Sequence, residues 1–520
     1  MGGRARAAEP TGPALYTRGV SAGSQPPRRP RRLPAVRRAF DDAYATADRV
    51  IDRGQTQGFR LLWFFLPETS IAKDLRFQHV LASRFLSDAG QQALAYGALI
   101  AIARRGGSAL ELALVGVAAL APAAVLGLYG GAVADALPRR VALAVAYNLQ
   151  ALFCFLVPLV AGDELVPVIF LIFAVNALGQ VSGPTEQAVV PLVASEQQLA
   201  SAASLVNLAS SAGTAFGTAL LAPVLVRVFS TEAVMYVAGG LLILAGTRVF
   251  DLSTGEAPQR KIALPRPSFR IRLMLAWLVR QPAVATMIVV GVISGTANYV
   301  LQTLAPSYVV AALHVDPANA VYVFAPSAAG LVTALAAAPA LMRWRGERVA
   351  ALAGFGITAV ILLLLGLVGR ITPALDPANP LRLGELFGVD LSARLRTAAL
   401  LALPLGFGVA LTTTSVQTYL NRRIPLAYQG RAFALQGTLK SGVGIVPLLA
   451  LGGAASAFGV ESVLIASPLA LLAAAYLLVQ LSFRFAGRAP PSNLEVLTSF
   501  WEEPPTEEPH APQAHSARQP

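Results

Sequence analysis

Three charged residues lie inside long apolar stretches of the sequence, where a charge needs a partner or a function. Arg84 and Asp88 are four residues apart, so on a helix they would share one face. Lys440 lies in a later apolar stretch and has no acidic residue within one helical turn. A charge at the centre of a bilayer costs about 2.5–3.5 kcal/mol on insertion scales, so each of the three requires an explanation.

Two interpretations of these charges are open. Arg84 and Asp88 can neutralise each other and hold their helix against its neighbours, or Asp88 can bind a proton or cation that biases a movement of the helices. Lys440 can pair across a helix bundle with Asp88 or Asp135, extend its ammonium group to the membrane surface, or face a water-filled cavity.

Uncharged polar residues form a second group of candidates. Side-chain amides inside apolar helices either line a cavity or form hydrogen bonds between helices, and the second role is the more frequent. Glu186, at the end of the fourth apolar stretch, is expected in solvent or in a gate. The candidates for a cavity lining are Gln91, Gln92, Asn176, Gln180, Asn298, Gln302 and Gln417.

The motifs of several enzyme classes are missing from the sequence. It contains no Gly-rich phosphate loop with Lys-Ser or Lys-Thr, and no cluster of His and carboxylate residues with the spacing of a metal or hydrolase site. Cys154 is the only cysteine, which excludes a disulfide within the chain. We therefore expect no catalytic residue, no metal and no cofactor.

The composition indicates whether these residues belong to a soluble protein or to a membrane protein. Of 520 residues, 55% are hydrophobic and 13% are charged, and the mean hydropathy is +0.59. Soluble proteins carry about 25% charged residues, and a single soluble core stops growing at roughly 250–300 residues. The chain is therefore expected to be a membrane protein.

The apolar stretches predict an all-α membrane protein with twelve transmembrane helices. A helix that crosses a bilayer needs about 20 mostly apolar residues, and only a helix satisfies its own backbone groups in lipid. The predicted spans are 79–103, 109–132, 141–161, 165–185, 199–224, 232–250, 283–306, 318–341, 349–370, 397–418, 432–456 and 461–483.

The positions of the basic residues predict the orientation. Most of the 41 Lys and Arg residues fall in segments that would share one side of the membrane with the amino terminus. Because basic residues collect on the cytoplasmic side, both termini are expected there. The net charge of +13 is then explained by topology and by attraction to anionic membrane lipids, and not by binding to nucleic acid.

Five regions follow from this topology. Residues 1–76 form a cytoplasmic extension, disordered at first and then an amphipathic helix at 34–54. Two six-helix halves occupy 77–250 and 282–484. They are joined by a cytoplasmic linker, 251–281, that contains a basic amphipathic helix. Residues 485–520 form a disordered cytoplasmic tail.

Short matches in the same order indicate that the two halves are pseudo-repeats. Residues 229–235 resemble 458–464, and residues 138–142 resemble 346–350. One extra outer loop, at 371–396, accounts for the different offsets. Parallel six-helix halves about an axis normal to the membrane describe one large class of transporters, with the substrate bound between the halves.

The loop after the second predicted span carries a longer motif. It contains Gly131, Asp135, Arg139 and Arg140 at the spacing of the G-x-x-x-D-(R/K)-x-G-R-(R/K) loop, although two positions between the Asp and the arginine pair differ from that pattern. The chain thus resembles the major facilitator superfamily (MFS). In that family this loop latches the cytoplasmic side in the outward-facing state, and the resemblance implies the same gating role here.

Three further stretches, at 84–90, 182–191 and 429–431, are similar to the drug-efflux branch of the superfamily, which includes macrolide-efflux and enterobactin-export proteins. This resemblance covers roughly 77–484 and implies a secondary transporter in the plasma membrane that exports a small amphipathic molecule, driven by protons or another coupling ion. The fourth span lacks the arginine, and the fifth the Gly-Pro pair, of proton-driven drug antiporters.

Two other functions are compatible with the same sequence. An uptake permease would have the same fold, because nothing in the sequence fixes the direction of transport. A non-transporting scaffold on a degenerate transporter fold would use the amphipathic helix at 34–54 for docking. The expected partners are a small-molecule substrate, a coupling ion and membrane lipids, with no nucleic acid, and the protein is expected to be monomeric.

Overall fold

The computed structural model describes residues 71, 74–136, 138–161, 164–194, 198–250, 282–317, 320–381, 392–424 and 426–485. Some helical segments within these ranges, including 128–136 and 426–435, are described by their backbone alone. The amphipathic helix predicted at 34–54, the linker at 251–281 and the tail beyond 485 lie outside the described residues.

The first half of the described chain is a series of helices joined by short turns. A six-residue π-helical segment, Phe216–Leu221, continues α5 directly into α6. The helices are α1 (Leu75–Arg104), α2 (Ala109–Ala136), α3 (Arg139–Ala161), α4 (Leu165–Val193), α5 (Leu199–Ala215), α6 (Ala222–Val228) and α7 (Thr231–Phe250).

The second half is built in the same way. Single glycines with positive φ separate consecutive helices at Gly346 (83°) and Gly459 (85°). Glycine is suited to these positions because a positive φ is strained for residues with a side chain. The helices are α8 (Pro282–Ala311), α9 (Ala320–Arg345), α10 (Glu347–Gly366), α11 (Val368–Leu375), α12 (Ala393–Arg423), α13 (Leu426–Phe458) and α14 (Val460–Phe485).

Length and composition identify nine membrane-crossing candidates among the described residues. Helices α1, α9 and α14 are not among the nine, although they coincide with the first, eighth and twelfth predicted spans and contain 30, 26 and 26 residues. The prediction of an all-helical membrane protein is confirmed at this level, whereas the count of twelve stays a prediction.

Two side chains show how the sequence starts its helices. The Asp74 carboxylate accepts a hydrogen bond of 2.9 Å from the backbone N–H of Arg76 at the start of α1. The Ser392 hydroxyl accepts one of 3.3 Å from the N–H of Leu395 at the start of α12. Both bonds satisfy backbone donors that the first helical turn leaves without partners.

Part of the predicted outer loop at 371–396 is helical. Helix α11 and a 3₁₀ turn, Asp376–Ala378, occupy its first residues. The carboxylate of Asp376 accepts two hydrogen bonds, of 3.0 and 2.9 Å, from the guanidinium of Arg396 on α12. This bidentate ion pair attaches the segment to the bundle. The pair joins residues that are 20 positions apart, so a prediction from local sequence could not foresee it.

Each half packs around its own helices, and a smaller set of contacts joins the halves. In the first half α1 packs on α5 and α7, and α2 on α4. In the second half α12 packs on α9 and α10, and α8 on α13 and α14. Helices α2 and α13 form the main contact between the halves, and the π-helical segment also reaches α9.

Candidate functional site

A cavity of about 460 Å³ lies between α5, α8, α9 and α12, and thus between the two halves. Its walls combine leucine and alanine side chains with hydroxyl and amide groups. Asn298 and Gln302 of α8 are among the lining residues, together with Ser327 of α9 and Thr413 of α12. Small-molecule sites have volumes of roughly 300–1,000 Å³ and a similar mixture of apolar surface and a few polar groups.

One face of α5 and of the π-helical segment that continues it supplies hydroxyl groups to this cavity. Ser210, Thr214 and Thr218 are spaced by four residues, so they lie on the same side of the helix, and all three line the cavity. The Thr218 hydroxyl is buried and has no hydrogen-bonding partner among the described residues. Thr218 also lies in the π-helical segment, a distortion that is frequent at functional sites.

The neighbouring face of α5 has glycines where it meets α1. A Cβ atom on Gly213 would lie 2.5 Å from the carbonyl oxygen of Phe85, and one on Gly217 would lie 2.4 Å from that of Ala89. Neither backbone oxygen can move aside cheaply. The two glycines therefore allow the close approach that brings Ser210 next to the charged residues of α1.

Arg84 is the centre of a charged cluster beside the cavity. Its Nε lies 2.9 Å from Oδ2 of Asp88, one turn further along α1. Its Nη1 donates to the Glu186 carboxylate of α4, and its Nη2 donates to the Ser210 hydroxyl of α5 at 3.2 Å. The guanidinium thus connects three helices of the first half, and through Ser210 it is one hydrogen bond from the cavity.

Glu186 was expected in solvent or in a gate, and the first of these two positions is wrong. It is 5% exposed, not in solvent. Besides the Arg84 contact, its carboxylate accepts hydrogen bonds from the hydroxyl of Tyr147 and, at 3.5 Å, from that of Ser87. The signal that could have identified it is the apolar run 188–190, which continues α4 to Val193, beyond the predicted end of the span at 185.

The other predicted amides of the first half have different surroundings. Gln91 donates a hydrogen bond of 3.2 Å to the Gln150 side chain of α3. Asn176 and Gln180 donate to backbone carbonyls of their own helix, at 2.8 and 3.3 Å. Gln92 is half-buried on α1. In the second half, Gln417 is exposed on α12 and is not among the residues that line the cavity.

Lys440 lies on α13, and its aliphatic chain packs over Gly295 of α8. A Cβ atom added to Gly295 would lie 2.8 Å from Cδ of Lys440. Asp88, one of its two expected partners, is paired with Arg84. The other, Asp135, has a side chain that is not described. Among the side chains that are, no acidic group forms an ion pair with Lys440.

The predicted gating loop joins α2 to α3. Arg139, the first residue of α3, donates a hydrogen bond of 2.9 Å to the backbone carbonyl of Ala188 on α4. Arg140 is half-buried beside it. Gly131 and Asp135 fall in the last turns of α2, where the side chains lie outside the description.

At the opposite end of the bundle, which we call the Arg104 end, an ion pair joins the two halves. Arg104 of α1 forms a bidentate pair with Asp316, which follows α8, with both Nη2–carboxylate distances at 3.0 Å. Its Nη1 also donates to the carbonyl of Val226 at 2.8 Å. The halves are therefore in contact with each other at this end.

The described residues contain no group of three or more His, Cys, Asp or Glu side chains that could hold a metal ion. The cavity lining offers hydrogen bonds from hydroxyls and amides as well as apolar contact, and the Arg84 cluster lies next to it through Ser210.

Three solved structures of transporters or transporter homologues have a similar fold. A bacterial homologue of the human lysosomal transporter Spinster, in an inward-facing and unoccupied conformation, aligns with a TM-score of 0.61 and 13% identity over 81% of this chain and 100% of that one. The nucleoside transporter NupG gives 0.56 and 12% over 79% and 99%. A bacterial homologue of the iron transporter ferroportin gives 0.54 and 14% over 79% and 99%.

These identities are too low to show more than a shared fold. No functionally curated protein matches the sequence significantly. The sequence does match a family description, however, and the match covers residues 57–447, which include the gating-loop motif, the Arg84 cluster and all the cavity helices. This protein therefore belongs to the Major Facilitator Superfamily, a family of transporters and not of enzymes.

Proposed function

We propose that this protein is a secondary transporter that works by alternating access. In this proposal twelve spans form two six-helix pseudo-repeats, both termini are cytoplasmic, and the protein is a monomer in the plasma membrane. The family supports a transporter, and the order and lengths of the helices support the two halves. Rocking of one half against the other would expose the cavity to each side in turn.

The substrate that we propose is a small amphipathic molecule. The hydroxyls of α5 and the amides of Asn298 and Gln302 offer hydrogen bonds, while Leu331 and Leu405 offer apolar contact on the opposite walls. The Thr218 hydroxyl, which has no partner in the described part of the chain, supports a ligand that supplies one. Export is proposed from the sequence resemblance to the drug-efflux and siderophore-export branch.

The charged cluster is the observation on which the proposed ion coupling depends. One guanidinium faces two carboxylates, those of Asp88 and Glu186, and all three groups are largely buried. With both carboxylates ionised the cluster carries one excess negative charge, which is costly in a low-dielectric environment. A proton bound there would remove the charge, and Ser210 links the cluster to the substrate cavity.

The remaining predicted residues take supporting roles in the proposal. Arg139 and Arg140, with Gly131 and Asp135, would latch the cytoplasmic end in the state that is open at the Arg104 end. Lys440 would present a positive charge between α8 and α13, where an anionic group of a substrate or lipid could neutralise it.

Glu186→Gln provides the test of coupling. In proteoliposomes with an imposed proton gradient, the purified protein should accumulate one of a panel of solutes, namely macrolides, ferric siderophores, nucleosides and ferrous iron. We expect Glu186→Gln to reduce gradient-driven accumulation by roughly 5- to 150-fold, the range of typical coupling free energies. Exchange of labelled for unlabelled solute, which needs no gradient, should continue.

Glu111→Gln is the matched control, because Glu111 lies in the first turn of α2 and bonds only locally, to the N–H of Ser108. Wild-type accumulation by Glu186→Gln would contradict the coupling role. Accumulation of the solute only in vesicles that hold the protein in the opposite orientation would identify an uptake permease. If no solute moves and deletion of residues 34–54 alone abolishes the cellular phenotype, the scaffold function is correct instead.

A further inference from the structure

A second cavity, of about 310 Å³, lies within the second half of the protein, between α8, α13 and α14. No charged side chain lines it. Its walls are formed mainly by Ile293 of α8, Val443 and Leu451 of α13, and Val463 and Leu464 of α14. This composition excludes an ionic or strongly polar ligand, because such a ligand would lose its hydration without gaining partners.

The few hydroxyl groups in the lining do not change this character. Tyr308 donates its hydroxyl to the backbone carbonyl of Leu365 at 2.9 Å, and Ser467 donates to that of Leu464 at 2.8 Å. The third, Thr296, is buried without a partner among the described residues, so it is the one hydroxyl in the lining that is left for an occupant. The cavity thus offers an occupant dispersion contacts and little hydrogen bonding.

The depth of this cavity matches one leaflet of a bilayer. Its lining on α14 runs from Val460, the first residue of the helix at the Arg104 end, to Leu471. At 1.5 Å per residue this stretch is about 16 Å long. The hydrocarbon core of a bilayer is about 30 Å thick, so one leaflet occupies roughly 15 Å.

The mouth of the cavity opens on the lipid-facing surface. Ala450 of α13 and Ala470 of α14 line the cavity and are exposed. Next to them on the same helices, Val446 and Leu469 are 70% and 73% exposed. Large apolar side chains with this exposure are covered by lipid in a membrane, so the cavity continues the surface that lipid already contacts.

We propose that this cavity binds one acyl chain of a membrane phospholipid, drawn from the leaflet at the Arg104 end. The headgroup stays at the membrane surface near Val460, and the chain extends inward between α13 and α14. An empty apolar cavity forfeits dispersion contacts on all its walls, and an acyl chain restores them. The site is separate from the substrate cavity and does not depend on the proposed coupling.

Helix α8 connects the two sites. Leu301, Ala305 and Tyr308 line both cavities, so the bound chain would pack against a face of the helix adjacent to the one that presents Asn298 and Gln302 to the substrate. The occupant would therefore pack against the same helix that forms one wall of the transport pathway.

Tryptophan fluorescence can test this proposal in the full-length protein. The four native tryptophans, Trp63, Trp277, Trp344 and Trp501, are replaced by phenylalanine. A single tryptophan is then placed at Leu471, in the cavity lining, or at Leu469, two residues away on the lipid-facing side. Phosphatidylcholine brominated near the middle of one acyl chain is titrated into the protein in detergent.

We expect the Leu471→Trp fluorescence to be quenched in a saturable manner, at about one lipid per protein molecule. The Leu469→Trp fluorescence should fall only in proportion to the lipid content of the micelle. A second substitution that fills the mouth, Ala450→Phe, should abolish the saturable phase at position 471. Ser467→Phe fills the interior and serves the same purpose if Ala450→Phe is not monodisperse.

Three results would overturn the proposal. They are equal titration curves at the two positions, a saturable phase that survives both filling substitutions, and saturation by a brominated free fatty acid but not by the phospholipid. None of these measurements requires transport activity, so their outcome is independent of the proposed function.

Discussion

Replacement of Arg84 by alanine is expected to destabilise the protein by about 3–5 kcal/mol, the usual cost of removing one partner from a buried ion pair. The guanidinium contacts both Asp88 and Glu186. Without it, two carboxylates with little access to water would face each other across α1 and α4. Thermal unfolding of the purified variant in detergent measures the loss.

Two further variants show whether the charge is the cause. Arg84→Ala combined with Asp88→Asn and Glu186→Gln removes all three charges together, and we expect it to recover much of the lost stability. Arg104→Ala removes an arginine from the same helix whose partner Asp316 is exposed, so its cost should be far smaller. A triple variant as unstable as Arg84→Ala would show that packing of the long side chain, and not charge, dominates.

Thr214→Trp is expected to abolish transport. Thr214 lies in the middle of the hydroxyl face of α5, between Ser210 and Thr218, and an indole there would fill much of the cavity between the halves. Displacement of a bound substrate by a few ångströms is sufficient to lower the transport rate by roughly 100-fold or more. Transport into proteoliposomes and equilibrium binding of the same solute should both be lost.

Leu208→Trp is the matched control for this variant. Leu208 lies on the same helix but is 59% exposed and does not line the cavity. It should therefore transport at close to the wild-type rate, and both variants should unfold at similar temperatures. Wild-type binding by Thr214→Trp would mean that the substrate binds elsewhere.

The charged cluster illustrates which contacts a sequence can predict. Arg84 and Asp88 are separated by four residues on one helix, so their pairing follows from helical geometry alone. Glu186 is 102 residues from Arg84 and 39 from Tyr147. Its burial depends on how three helices pack, and helical periodicity carries no information on that packing.

The amide pairs show the same distinction within single helices. Asn176 and Gln180 on α4, and Asn298 and Gln302 on α8, have identical spacing. Yet the first pair bonds to its own backbone, while the second lines the cavity. A membrane helix that is apolar on all sides has no amphipathic face to fix its rotation, so its neighbours decide which side meets the cavity. The existence of α4 and α8 was predictable from hydropathy, but their rotation was not.

In alternating access, the two halves must separate at the Arg104 end for a solute to pass. In a Cys154→Ser background, Arg104→Cys and Asp316→Cys place two thiols at the ion pair that joins the halves there. A reducible bifunctional thiol reagent then links them, and solute transport is measured before linking, after linking and after reduction.

We predict that transport stops when the link forms and returns on reduction, while Arg104→Cys alone is unaffected by the reagent. Transport at the full rate by quantitatively linked protein would contradict alternating access through this end of the molecule.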